Sequence, residues 1–181
     1  SRFNIPVIGI TGSNGKTIVK EWLFQLLGED HKIVRSPKSY NSQLGAPLSV
    51  WQMDEGDNLG IFEAGISLPG EMEKLAVLIR PTTGIITNIG EAHGENFSSL
   101  KEKTDEKLKL FKDVSTLIYC SDYTAIENAV IRSGLKKNTK LLTWSKRNHA
   151  DLEIKEIKKD QRQSVIQGNY RGEKISMAIP F

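Results

Sequence analysis

Apolar and polar positions follow two different rhythms along this chain, and the change of rhythm falls near residue 150. Before it, short apolar runs with β-branched residues alternate with stretches of helical spacing. Val7 to Ile10 is the first run. Lys32 to Arg35, Gly60 to Glu63, Thr83 to Thr87, Thr116 to Cys120 and Lys140 to Trp144 follow it, and each predicts a strand. Between them, Ile18, Val19, Trp22, Leu23, Leu26 and Leu27 recur at helical spacing and predict a helix packed on the sheet, with Gly28 at its C-cap. Further helices are predicted over 44–53, 70–79, 98–112 and 125–133, the second closed by Arg80-Pro81. Strands separated by helices predict an α/β fold, a doubly wound and mostly parallel sheet. From Asp151 the pattern becomes alternation over Leu152 to Ile157, Ser164 to Tyr170 and Lys174 to Ile179, with turn-like links. That predicts a small antiparallel meander. The expected organisation is one domain over 1–181, a parallel α/β core in 1–150 and antiparallel strands in 151–181.

The first strand runs into Gly12-Ser13-Asn14-Gly15-Lys16-Thr17 before helical spacing begins. Strand, glycine loop and helix in that order are the parts of a phosphate site, the alternative being an ordinary βα turn with a solvated lysine. The glycines let successive backbone N–H groups turn inward, and the helix adds its positive end. Lys16 is placed to neutralise phosphate oxygens and the Thr17 hydroxyl to serve a Mg²⁺ ion. The loop is a shortened form, since the longer pattern wants glycine where Ile10 stands.

Composition narrows the picture only slightly. The 181 residues, 38% hydrophobic, suffice for one α/β core. The net charge of +3 comes from 25 basic and 22 acidic residues dispersed along the chain, which gives no footprint for nucleic acid. Cys120, the single cysteine, ends an apolar run and is expected to be a buried strand residue. One cysteine allows no internal disulfide, no apolar run reaches the length of a membrane span, and Ser1 begins no signal sequence, so the expected location is cytoplasmic.

TGSNGKT at Thr11–Thr17 resembles the ATP-binding loop of the Mur ligases, which add amino acids to a cell-wall precursor. Three later stretches are similar to the same family in the same order. They are Tyr40-Asn41-Ser42-Gln43-Leu44-Gly45-Ala46-Pro47, Glu63-Ala64-Gly65 with Pro69-Gly70-Glu71, and Thr87-Asn88 with Ala92-His93. Lys20-Glu21 and Gly70-Glu71 look most like the branch that joins D-alanyl-D-alanine to UDP-N-acetylmuramoyl-tripeptide. Asn41-Ser42 departs from the adjacent asparagines usual in that branch.

The resemblance implies ATP and Mg²⁺ as cofactors and an acyl-phosphate intermediate. It implies that Thr11, Gly12, Ser13, Asn14, Gly15, Lys16 and Thr17 hold the nucleotide, with Asn41 and Asn88 positioning it. Lys16, Glu63, His93 and Lys107 would carry the chemistry, and Thr17, Glu63, His93 and Lys107 would serve metal. Glu63 also stands out from the residues alone, because it ends a strand on the edge where the phosphate loop lies. Read without the resemblance, Glu63 could instead cap the next helix, His93 could be a surface histidine, and Asn41 and Asn88 could be turn formers. Lys107 falls about 20° from Leu100 and about 40° from Phe111 around a helix, on its apolar stripe, whereas Lys109 points away. A lysine there has a depressed pKa, and its neutral amine can react with CO₂. The resemblance assigns it a carbamate. Implied partners are the UDP-linked muramoyl peptide, D-alanyl-D-alanine, and amino- and carboxy-terminal domains of the same polypeptide; a fused alanine racemase stays open. Two rivals also stay open: another ligase of the superfamily, such as MurE or folylpolyglutamate synthetase, and a P-loop switch that hydrolyses nucleotide alone.

Overall fold

A computed structural model describes residues 4–90 and 96–180. Chain order gives β1 (Val7–Thr11), α1 (Lys16–Leu27), β2 (Ile33–Arg35), α2 (Gly45–Trp51), β3 (Leu59–Glu63), α3 (Glu71–Ile79), β4 (Thr83–Ile86), α4 (Leu100–Leu108), β5 (Thr116–Cys120), α5 (Thr124–Ser133), β6 (Lys140–Ser145), β7 (Leu152–Lys159), β8 (Gln163–Tyr170) and β9 (Glu173–Pro180). All nine strands of the described residues join one sheet in the order β2-β3-β1-β4-β5-β6-β7-β8-β9. Pairing is parallel from β2 through β7 and antiparallel from β7 to β9. The meander therefore extends the parallel sheet, Trp144 pairing with Leu152.

Alternation along each central strand feeds two cores. Val7, Phe62, Ile86, Leu117 and Tyr119 face α2 to α5, where Met72, Leu75, Phe111, Ile126 and Val130 are buried against them. Ile10, Leu59 and Ile61 face the other way, against Val19, Leu23 and Leu27 of α1. Of the six apolar α1 positions read as sheet-facing, Ile18, Trp22 and Leu26 are instead solvent-exposed. They follow one another four residues apart and form a separate stripe, rotated by about 100° from the one that packs. Gly28 does stand at the C-cap, but in ordinary right-handed backbone with φ −69°.

The helix predicted over 98–112 is shorter. Ser99 caps it by accepting from Glu102 N (3.1 Å), α4 ends at Leu108, and a 3-10 turn over Lys109–Phe111 carries the chain on. Its buried side holds Lys103, Thr104, Lys107 and Leu108, while Leu100, read as part of that stripe, is half-exposed at its first turn. Cys120 is buried, as its run predicts. No described helix is long and apolar enough to cross a membrane.

Candidate active site

The carboxyl ends of β1, β3 and β4 meet at one edge, and the phosphate loop closes over it. Gly12 adopts φ 144°, and a Cβ there would stand 2.0 Å from Thr87 Oγ1, so only glycine fits. Gly15 is left-handed at φ 81° and starts α1. The loop is clamped by the chain after β4. Ser13 N donates to Asn88 O (2.8 Å), Asn14 N to Asn88 Oδ1 (3.0 Å), and Gly90 N to Ser13 Oγ (2.9 Å). Thr87 Oγ1 donates to Asn14 O at 2.6 Å. Thr11 turns away into the sheet, its hydroxyl donating to Ala64 O (2.8 Å).

Three lysines gather around this loop, and two of them, Lys16 and Lys107, line the cavity beside it. Lys16 Nζ curls back to Gly12 O (2.9 Å), Lys107 Nζ reaches the same carbonyl (3.3 Å), and Lys103 donates to Gly90 O. Burial lowers the Lys16 pKa, opposed by the nearby Glu63 carboxylate and assisted by Lys103. Lys107 is pushed down to about 7, chiefly by burial and then by repulsion from Lys16 and Lys103. Such a cluster is costly by itself and complementary to a polyphosphate. Gly12, Ser13, Lys16, Asn41, Gly65 and Lys107 all line the cavity.

Glu63 ends β3 fully buried. Thr17 Oγ1 donates to its Oε2 at 3.1 Å, and Asn41 Nδ2 lies 3.5 Å from the same oxygen. Asn41 O in turn accepts from Gly65 N (2.7 Å). The other oxygen, Oε1, has no hydrogen bond; the Lys20 ammonium stands 3.0 Å away as an ionic neighbour. These residues fit a divalent cation. An octahedral Mg²⁺ with ligands at about 2.1 Å places adjacent oxygens about 3.0 Å apart, close to the separation of Thr17 Oγ1 and Glu63 Oε2. Among the described residues no group of three or more acidic, histidine or cysteine side chains could hold a metal, so a bound ion would draw remaining ligands from phosphate and water. His93 lies outside the described residues; the other histidines, His31 and His149, are exposed and face Asn58 and Glu153.

Sequence reasoning places Lys16, Thr17, Glu63, Lys107, Asn41 and Asn88 at one edge, and the structure brings them together. It misses Lys103, and it singles out Lys20 only as a family mark. The signal for Lys20 is available: it shares a helix face with Leu23 and Leu27. A charge inside an apolar stripe needs a buried partner.

The family model of the Mur ligase middle domain matches residues 10–181. UDP-N-acetylmuramoyl-tripeptide–D-alanyl-D-alanine ligase of Bacillus subtilis is 30% identical over 158 residues, 86% of this chain and 33% of that protein. The ligase of the same name from Borreliella burgdorferi is 40% identical over 103 residues, 57% of this chain and 22% of its own length. The chain thus spans about a third or less of these relatives. Among solved structures, MurF from Acinetobacter baumannii superposes with a TM-score of 0.86 at 20% identity, over 98% of this chain and 39% of that one. MurF from Thermotoga maritima in complex with ADP gives 0.83 at 23%, over 98% and 41%. The apo form of the L. casei folylpolyglutamate synthetase gives 0.67 at 11%, over 98% and 53%. These structures share the fold, and the sequence relatives carry the name UDP-N-acetylmuramoyl-tripeptide–D-alanyl-D-alanine ligase. The chain belongs to the Mur ligase family, which it matches across the middle domain, and within that family it is most like MurF.

Proposed function

We propose that this chain is the nucleotide-activating domain of an ATP-dependent ligase that joins D-alanyl-D-alanine to a UDP-N-acetylmuramoyl-tripeptide. The observation that carries it is that Lys16 and Lys107 line one cavity beside the phosphate loop, with the hydrogen-bonded Thr17–Glu63 pair on the same sheet edge, at the end of β3. In this reading a carboxylate oxygen of the tripeptide attacks the γ-phosphorus of ATP, the β–γ bridging bond breaks, and ADP leaves. The dipeptide amine then attacks the acyl carbon, phosphate departs with the bonding pair, and the amine loses a proton. Side chains need only position and neutralise. Lys16 swings from Gly12 O onto the phosphate, the amides of the loop hold the phosphate chain, and Thr17 with Glu63 Oε2 would hold Mg²⁺. That ion would supply charge neutralisation between phosphate oxygens.

Burial pushes the Lys107 pKa down to about 7, which favours the neutral amine that can attack CO₂; an N–C bond forms as a C=O π pair moves onto oxygen, one proton leaves, and an anionic carbamate replaces the cation beside Lys16. His93 is proposed as a further metal neighbour by the resemblance alone. The amino- and carboxy-terminal domains that grip both substrates belong to the proposed full ligase, so this chain by itself should bind Mg-ATP weakly and form no amide.

Product analysis on the full-length protein tests the reading. ADP should appear only with the tripeptide substrate, and amide only with the dipeptide as well. Equal ADP release from nucleotide alone would favour a switch module, and glutamate addition to a folate would favour the synthetase rival.

A further inference from the structure

Lys20 is wholly buried, a rare state for lysine. It stands one turn beyond Lys16 on the sheet-facing side of α1. Its ammonium donates to Ser36 O (2.7 Å) and to Lys38 O, and lies 3.0 Å from Glu63 Oε1, with Glu21 Oε1 at 3.2 Å. Lys38 holds a left-handed backbone at φ 49°, costly for a residue with a Cβ, and its carbonyl is one of the Lys20 acceptors. Ser36 contributes twice, since its Oγ accepts from Glu63 N at 3.1 Å. One side chain therefore ties together the helix that follows the phosphate loop, the 36–41 connection that carries Asn41, and the end of β3.

We propose that Lys20 is the positioning residue of the metal–nucleotide site, engaging Glu63 Oε1 so that Oε2 alone is presented to the divalent cation. This rests on the reading of Glu63 as a metal ligand. A carboxylate at a strand end turns about its last torsion and offers either oxygen or both. Here the cation at Oε1 fixes that torsion, and the free face is the one already shared with Thr17 and Asn41. Stability alone is a weak account of the pair, because a buried ion pair is seldom better than apolar side chains of the same volume. Fixing the orientation of a ligand is what outer-shell groups do for metals, and removing one costs about 10 to 100 fold in affinity.

The test uses the full-length protein with Mn²⁺ as the cation probe, titrated by electron paramagnetic resonance in the presence of ADP. Lys20→Met should weaken Mn²⁺ binding by about 10 to 100 fold. ADP affinity in chelator should be unchanged, and the apparent Mg²⁺ requirement should rise more than kcat falls. Glu63→Gln should weaken Mn²⁺ binding too, and adding Lys20→Met to it should change little further. Wild-type Mn²⁺ affinity in Lys20→Met, with Glu63→Gln impaired, would overturn the positioning role and spare Glu63. Unimpaired Glu63→Gln would instead remove the metal reading itself. Fully additive losses would show that Lys20 does not act through Glu63. Should Lys20→Met not fold, the double variant carries the test: it lacks the stranded carboxylate and should be recovered folded, and failure to recover it overturns the pairing.

Discussion

At the residue scale, the phosphate loop and its acidic partner are legible because glycine, lysine and threonine at fixed spacing have one chemical use, and a carboxylate closing an apolar strand has few. What the spacing cannot show is that Glu63 is already paired. Glu63→Ala would take from Lys20 its buried carboxylate and leave it only Glu21 and two carbonyls, so truncation confounds folding with catalysis. Glu63→Gln keeps the shape and is the cleaner probe. It and Lys16→Ala should each lower turnover about 100 to 1000 fold, with unfolding midpoints checked by calorimetry. Retention of near wild-type turnover by either variant would refute its role.

Lys107 gives a second prediction, with a definite sign. Its folded pKa of about 7 lies below the ordinary 10.5, so between those values the unfolded chain binds the extra proton. Stability therefore rises with pH across that window, by up to about 1.4 kcal/mol per unit from this group, and the penalty is complete below pH 7. Lys107→Met should stabilise the nucleotide-free protein at pH 6.5, with the gain shrinking toward pH 10. A gain that does not change with pH in denaturant titrations would contradict the shift. In the full-length ligase, Lys107→Ala should lose activity and recover part of it with short carboxylic acids; full activity without them would dismiss the carbamate.

At the scale of elements, strand and helix order follows from periodicity almost throughout, yet the coupling between elements does not. α3 has no side-chain cap of its own; its start at Gly70 is left-handed, φ 82°. The cap comes from α4, where Glu106 accepts from Gly70 N (2.8 Å) and Met72 N (3.2 Å) and pairs with Lys109 (2.9 Å), which also reaches Glu73. Nothing in a linear pattern joins residues 70 and 106. The same contact fixes the helix on which Lys107, the next residue, enters the cavity. Glu106→Ala would leave the buried Met72 N, and Gly70 N at the exposed start of the helix, without their acceptor, at about 1 to 3 kcal/mol, and should lower nucleotide affinity by shifting α4. Glu106→Gln should keep most of both. Thermal unfolding and a fluorescent-nucleotide titration on the two variants check this, and an Ala variant as stable as wild type would rule the cap out.

At the scale of the whole molecule, alternation in 151–181 predicts a meander but not its face. Leu152, Ile154 and Ile157 do not keep a strict period of two, and a bulge between Ile154 and Glu156 restores the phase. Gly168 makes room for it, since a Cβ there would lie 2.4 Å from Glu153 O. With that correction Ile154, Ile157, Ile166, Ile175, Met177 and Ile179 share one side, in register across three strands. It continues the side of Ile85, Ile118, Leu142 and Trp144, the one on which α1 packs mainly on β1 to β3. β7 to β9 make their main contacts with one another and with β6, and Ile157 and Met177 are more than 40% exposed. A contiguous apolar face of this kind drives association. This chain should therefore bind an apolar dye such as anilinonaphthalene sulfonate and self-associate at micromolar concentration. Ile157→Lys with Met177→Lys should reduce dye binding and shift the chain toward monomer in sedimentation. Nucleotide affinity should not change, because the phosphate loop lies several strands away. In the full-length protein the opposite sign is expected wherever another segment packs on this face, since the same two lysines would then lower the unfolding temperature. Equal tolerance of the lysines in both settings would mean that the face is solvated in the ligase too.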